Sequence, residues 1–146
     1  MMTPSAELKH VITNSLNAFN GITEEAWSHK PAPDKWSKRE ILGHLADSAQ
    51  NNLRRFIVTQ HLQNQNIVYY QNEWVLQQNY QTMPTQEVVE LWKVLNLHIC
   101  RVLDNMPAEK LSYTCDTGKQ GQELHTLEFL IADYIDHLKH HLSQIQ

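Results

Sequence analysis

The segment that decides the fold runs from Ser37 to His61 and reads SKREILGHLADSAQNNLRRFIVTQH. Ser37 and Glu40 have the spacing of a capping box, in which each side chain accepts a hydrogen bond from the backbone N–H of the other residue and a helix begins. Apolar residues then return every three or four positions, as on one face of an α-helix. No proline interrupts the segment. It therefore predicts one long amphipathic helix from Ser37 to about His61.

Three further segments show the same period on either side of this helix. They are residues 5–21, 85–106 and 126–146, and none of these segments contains a proline. Four long amphipathic segments without a repeated strand pattern are typical of helical bundles. The sequence therefore predicts an all-α fold, a four-helix bundle, formed by a single domain of residues 1–146.

The connections between the helices differ in length and composition. Residues 21–36 contain several helix breakers and a stretch, TEEAW, that favours one helical turn. Residues 62–83 form a longer irregular connection between the second and third helices. Because long structureless loops are uncommon in compact domains, we expect a short helix there around Glu73 to Gln78. Glycines at 118 and 121 indicate a tight turn or a small hairpin before the last helix.

Charge and composition exclude several classes of partner. The chain of 146 residues has 12 Lys and Arg against 16 Asp and Glu, a net charge of −4, so its field repels nucleic acid. No basic leader followed by an apolar run, and no apolar stretch long enough for a membrane span, is present. Cys100 and Cys115 form no metal or disulfide motif. We expect a soluble, cytoplasmic protein with reduced thiols and no membrane partner, and the sequence leaves a homodimer open.

Nine histidines are many for this length. His137 and His141 lie one helical turn apart beside the apolar stripe, where both imidazoles can bind one ion. Nine histidines give roughly 0.55 pairs of this spacing by chance, so the pair alone is weak evidence. The zinc-protease motif H-E-x-x-H is excluded because Leu138 stands where that motif requires glutamate.

A third ligand is not determined by periodicity. His44 and His98 both lie at the edge of an apolar stripe, on the second and third helices, and either can face the pair. Gly43, next to His44, costs the helix about 1 kcal/mol relative to alanine. It therefore suggests that a neighbouring backbone or a ligand approaches closely. We expect His140 to point into solvent.

Two separated segments carry a resemblance to a known family. They are PAPDKWSKREILGHLADSAQNNLRRF, from Pro31 to Phe56, and DYIDHLKHHLSQI, from Asp133 to Ile145. Together they resemble the DinB-like, or YfiT-like, superfamily of proposed metal-dependent hydrolases. The matching residues are Trp36, Ser37, Glu40, His44, Leu45, Asp47, His137, His141, Gln144 and Ile145.

The resemblance implies a four-helix bundle of unusual helix order with one divalent transition metal held by three histidines. Carried over, the metal ligands are His44, His137 and His141. Three imidazoles suit zinc or nickel above all, and also iron, cobalt or manganese, and they leave a coordination position open. The family implies a metal-dependent enzyme, a hydrolase or a thiol S-transferase. A water molecule or a low-molecular-weight thiol would attack a small-molecule substrate. The alternative is a metal-binding or ligand-binding bundle without turnover.

Groups that orient the ligands are expected close to them, because a ligating histidine usually donates its other N–H to a carboxylate or a carbonyl. Asp47 lies one turn after His44, and Asp133 lies one turn before His137. Ser48 and Gln144 are further candidates for facing the site. Four aromatic side chains can line its mouth: Tyr69, Tyr70, Trp74 and Tyr80. Arg54 and Arg55 can contact a substrate carboxylate, although solvated positions on the helix are the more common outcome for such residues.

Overall fold

The computed structural model describes residues 1–146 and contains the four expected long helices, two short ones and a small hairpin. The elements are α1 (Pro4–Phe19), α2 (Glu24–Ser28), α3 (Lys38–Val58), α4 (Gln71–Gln78), α5 (Thr85–Asp104), β1 (Thr114–Asp116), β2 (Leu124–Thr126) and α6 (Leu127–Ile145). Short 3-10 turns occupy Tyr80–Thr82 and Ala108–Ser112. The all-α four-helix bundle is confirmed, and so is the short helix expected near residues 73–78.

Local sequence determines where the helices begin. The capping box at Ser37 and Glu40 is formed, and both of its hydrogen bonds are present. Thr3, Thr23 and Thr126 cap α1, α2 and α6 in the simpler way, each accepting a backbone N–H from the first turn of its helix. The second long helix ends at Val58, slightly before the expected His61, in a turn that begins the long connection.

The four long helices are not arranged in chain order. Around the bundle, α1 packs against α5 and α6, and α3 packs against the same two helices. Helices α1 and α3 therefore occupy one diagonal, and α5 and α6 occupy the other. This is the feature that sequence periodicity leaves undetermined, because periodicity shows which face of a helix is buried but not which helix covers it.

Contacts at the helix ends determine the direction of α5 and α6 relative to α3. Arg39, in the first turn of α3, donates to Thr85 Oγ1, in the first turn of α5, at 3.0 Å. Lys38 donates to the carbonyl of Ile145, at the end of α6, at 2.7 Å. Helix α5 is thus parallel to α3, and α6 is antiparallel to it.

Parallel neighbours require a connection that returns along the whole bundle. A helix of about 20 residues is about 30 Å long, which explains why the connection over residues 59–84 is so long. Helix α4 lies within it and packs on α3. We refer to residues 59–84 as the crossover.

The hairpin supports the beginning of the crossover. Strands β1 and β2 pair antiparallel, and Asn66 forms a parallel bridge to Asp116 at the end of β1. Arg55, near the end of α3, donates from Nε and Nη2 to the carbonyl of Ile67 at 2.9 and 2.7 Å. The basic side chain therefore anchors the backbone of the crossover.

The crossover also explains Gly43. A Cβ atom at this position would lie 2.2 Å from Cδ2 of Tyr80, whose buried ring covers that turn of α3. The close approach expected at Gly43 is present, but it is made by an aromatic side chain rather than by a backbone or a ligand.

Cys100 and Cys115 are both buried and unpaired. None of the helices has the length and apolar character needed to cross a bilayer.

Candidate metal centre

Three histidines meet where the beginning of α3 packs beside the end of α6. His44 extends from the second turn of α3, and His137 and His141 from two successive turns of α6. One ring nitrogen from each lies within 4.8 Å of the others. His98 is exposed on α5. The choice that periodicity left open between His44 and His98 is therefore resolved in favour of His44.

The rings are arranged around a common point. Nε2 of His137 and Nε2 of His141 are 3.1 Å apart. The ring of His44 has its centroid 4.9 Å from that of His141 and 5.5 Å from that of His137, and it stands edge-on to both. Such an arrangement can direct three nitrogen lone pairs at one ion.

Burial favours the uncharged form of His44 and His137, which is the form that binds metal. The His44 side chain is completely buried, and neither ring nitrogen has a hydrogen-bond partner. Burial lowers the pKa of His44 to about 3, with further lowering by His141 and His137. Burial also lowers the pKa of His137, against the opposing charge of Asp133. A buried polar atom without a hydrogen-bond partner destabilises the folded state. An ion bound between the three rings would give a nitrogen of His44 the partner that it lacks.

Gln144 fixes the orientation of His141. The amide Oε1 of Gln144 is 2.9 Å from Nδ1 of His141, so an Nδ1–H donates there and the lone pair is left on Nε2. That nitrogen is the one that faces His137. Gln144 thus performs the orienting task that ligating histidines usually assign to a carboxylate or a carbonyl.

The other candidates for that task do not hydrogen-bond to a histidine. Asp47 is buried, but its Oδ1 accepts from Tyr80 Oη at 2.7 Å and from Gln78 Nε2 at 2.8 Å. Its Oδ2 has no partner, and burial raises the pKa of its carboxyl group. The expectation that Asp47 accepts from His44 is therefore wrong for this structure, because three residues along a helix turn the side chain by about 60° away from α6 and toward the crossover.

Asp133 and Ser48 also lie apart from direct contact with the rings. Asp133 is exposed on α6 and acts on His137 through its charge alone. Ser48 is buried one turn beyond His44 on α3, and its Oγ accepts from Asn52 Nδ2 at 3.3 Å. Of the four residues expected around the ligands, only Gln144 hydrogen-bonds to one.

An open cleft of about 580 Å³ borders the cluster. His141 and Gln144 form one wall, and the beginning of α4 and the segment before α3 form the others. The ring of Trp36 lies 5.0 Å from that of His44, tilted by 35°. The lining residues are Pro31, Asp34, Lys35, Trp36, Ile41, Gln71, Asn72, His141 and Gln144.

This lining differs from the mouth expected from the sequence. Tyr80 is interior, and Trp74 lines a separate depression on α3. Trp36 was visible in the sequence only as part of a motif. A usable signal was present, because Trp36 and Ile41 occupy the N′ and N4 positions of α3, where a hydrophobic staple joins the chain entering a helix to its first turns.

The chain is similar to known proteins in sequence and in fold. The family model of the DinB superfamily matches residues 7–145. No curated protein matches the chain significantly. Among solved structures, YfiT from Bacillus subtilis, described as a probable metal-dependent hydrolase with an unusual four-helix bundle topology, superposes with a TM-score of 0.87 at 21% identity. The match covers 97% of this chain and 81% of that one.

Proposed function

The chain belongs to the DinB superfamily, and on that premise we propose that it is a metal-dependent enzyme whose ion is held by His44, His137 and His141. The observation that carries the proposal is the completely buried imidazole of His44, which has two unpartnered nitrogens beside two other histidines. A donor set of three neutral imidazoles fits zinc or nickel best and also accepts iron, cobalt or manganese.

Such an ion, when bound, supplies an open coordination position at which water or a thiol is held and loses its proton more easily. The remaining work belongs to the chain itself. Gln144 holds His141 in one tautomer, and burial keeps His44 uncharged. Trp36 packs against the His44 ring.

The reaction class follows from what surrounds the cluster. No carboxylate or lysine hydrogen-bonds to any of the three histidines, so the chain offers no separate general base in contact with them. This favours attack by one nucleophile, water or a low-molecular-weight thiol, on a small-molecule electrophile over a sequence of several proton transfers. We propose a hydrolase or a thiol S-transferase.

The lack of a general base in contact with the histidines also supports a second candidate function, a metal-binding or ligand-binding bundle without turnover. A site whose only polar support is Gln144 can bind an ion and a ligand without catalysing a reaction. We further propose a cytoplasmic location, because both cysteines are free thiols and disulfides are rare in that compartment.

Turnover by the metal-loaded protein separates the two candidates. The zinc- or nickel-loaded chain is assayed with 1-chloro-2,4-dinitrobenzene and a panel of thiols that includes glutathione and bacillithiol, and with 4-nitrophenyl acetate in water. We expect acceleration by the wild type and none by His141→Ala. The Cys100→Ala, Cys115→Ala double variant serves as the control and keeps the activity, since neither thiol lies at the cluster. Equal background rates for wild type and His141→Ala across the panel would establish the binding protein instead.

A further inference from the structure

We propose that the cleft beside His141 binds the organic substrate of this centre, and that this substrate is uncharged overall and carries a flat apolar group that packs on Trp36. This inference rests on the proposed function, because it takes the molecule bound in the cleft to be the substrate of the metal centre. The binding itself can be measured without turnover.

Position is the first argument. His141 belongs both to the three-histidine cluster and to the wall of the cleft, so a molecule in the cleft lies against a metal ligand. Three other depressions on the surface, of about 280, 310 and 460 Å³, contain none of the three histidines. At about 580 Å³ the cleft is also within the usual size range for sites that bind small molecules.

The apolar part of the lining is the second argument. Pro31, Trp36 and Ile41 form an apolar wall at the beginning of α3. Trp36 is half-buried, and its ring packs beside that of His44. An aromatic ring at the edge of a cleft favours flat groups, which pack on aromatic faces or edges.

Charge is the third argument. Asp34 and Lys35 are consecutive, exposed and of opposite sign, and they are the only formally charged side chains in the lining. Gln71 and Asn72, at the beginning of α4, supply neutral amides that can donate and accept hydrogen bonds. The side chains of the cleft therefore offer no unbalanced charge to a charged ligand, whereas they offer suitable hydrogen-bond partners to a neutral amide or ester.

The four tryptophans make the test direct, because each gives its own indole N–H signal in a ¹H–¹⁵N correlation spectrum. The metal-free chain is titrated with 4-nitrobenzamide, with its anionic analogue 4-nitrobenzoate and with its cationic analogue 4-nitrobenzylamine, so that no bound ion attracts the carboxylate. The zinc-loaded chain is titrated with 4-nitrobenzamide alone. We expect 4-nitrobenzamide to shift the Trp36 signal, to leave the Trp74 signal in place and to bind more tightly than either charged analogue. A shift of Trp74 without one of Trp36, or tighter binding of a charged analogue, overturns the proposal.

Variants supply the second measurement. Trp36→Leu should weaken binding of 4-nitrobenzamide by about three- to tenfold, and Trp36→Phe should restore most of it. The matched control, Trp74→Leu, removes the same ring from the depression on α3 and should leave binding unchanged. Equal affinity of Trp36→Leu and wild type contradicts the proposal. Zinc content measured on the same samples keeps the two hypotheses apart, since a chain that binds no zinc refutes the metal enzyme and still reports on the cleft.

Discussion

Gln144 and His141 are joined by a hydrogen bond of 2.9 Å between the amide Oε1 and the imidazole Nδ1. The contact joins two residues one turn apart at the end of α6, so it forms within a single helix. Because it occupies Nδ1, it leaves Nε2 of His141 directed at His137. The cluster is thereby oriented for an ion before any ion binds.

Loss of this contact should weaken metal binding without abolishing it. We expect Gln144→Leu to raise the zinc dissociation constant by about 10- to 100-fold, as loss of a partner to a ligating histidine does in other sites. Competition with a coloured chelator measures it. The control is Gln146→Leu, which changes the same residue type two positions later, and it should bind zinc like the wild type. Equal dissociation constants for the two variants would show that Gln144 does not orient the ligand.

Each ligand should be required for the ion. The purified chain is expected to bind about one zinc or nickel ion, and His44→Ala, His137→Ala and His141→Ala should each lose it. His98→Ala and His140→Ala provide exposed controls on α5 and α6 and should retain the ion. Elemental analysis gives the stoichiometry. Retention of the ion by His44→Ala, or its loss from His98→Ala, would mean that the ligand set is different.

Asp47 should be dispensable for metal and important for the crossover. Its Oδ1 accepts from Tyr80 and Gln78 rather than from a histidine, so we expect Asp47→Asn to bind zinc as the wild type does. Tyr80→Phe removes one of the two donors and should lower the free energy of unfolding by about 1–3 kcal/mol. Chelator competition and urea denaturation provide the two readings. Loss of zinc binding in Asp47→Asn would show that this carboxylate does support the metal-binding histidines.

Gly43 should not tolerate a methyl group. Alanine is the better helix former by about 1 kcal/mol, yet its Cβ would lie 2.2 Å from the Tyr80 ring. We therefore expect Gly43→Ala to lower the free energy of unfolding by about 1–3 kcal/mol, as overpacking does elsewhere. In a Tyr80→Leu background the same substitution should cost less, and urea denaturation of all four proteins tests this. A stabilised single variant would show that the crossover moves away freely.

Acid should destabilise the metal-free chain through the histidines. His44 has a folded pKa of about 3 against 6.5 in the unfolded chain, so the unfolded state binds more protons as the pH falls below about 6.5. His137 acts in the same direction, and Asp47, whose pKa is raised, acts in the opposite one. Urea denaturation in a chelator should give a lower free energy of unfolding at about pH 5 than at about pH 7.5. His44→Leu should show a smaller difference, and an unchanged one would assign the effect to other groups.

Features set by local sequence were predicted well. The beginning of α3 follows from Ser37 and Glu40, which contact each other within one turn. The contact between Gln144 and His141 is equally local, because the two residues lie within one turn of α6. The three histidines were identified through motifs, because periodicity places His44 and His98 equally at the edge of an apolar stripe. Only the packing of the helices distinguishes between them, because α6 lies alongside α3 and diagonally opposite α5.

Features that depend on distant residues were not predictable in the same way. Tyr80 covers Gly43 and donates to Asp47, and nothing near position 47 indicates that a side chain from the crossover will occupy that carboxylate. The lining of the cleft likewise combines the segment before α3 with the beginning of α4 and the end of α6. These elements meet only once the helix order is established.

The helix order also has a consequence for folding speed. Helices α1 and α6 are neighbours, α3 reaches α5 only through the crossover, and α5 and α6 lie on a diagonal. Native contacts therefore join residues far apart in the chain, whereas in a bundle built of successive hairpins each helix meets the one before it. Long loops must close before those contacts stabilise anything. A high relative contact order slows folding, so this all-helical chain should fold more slowly than an up-and-down bundle of the same length and stability.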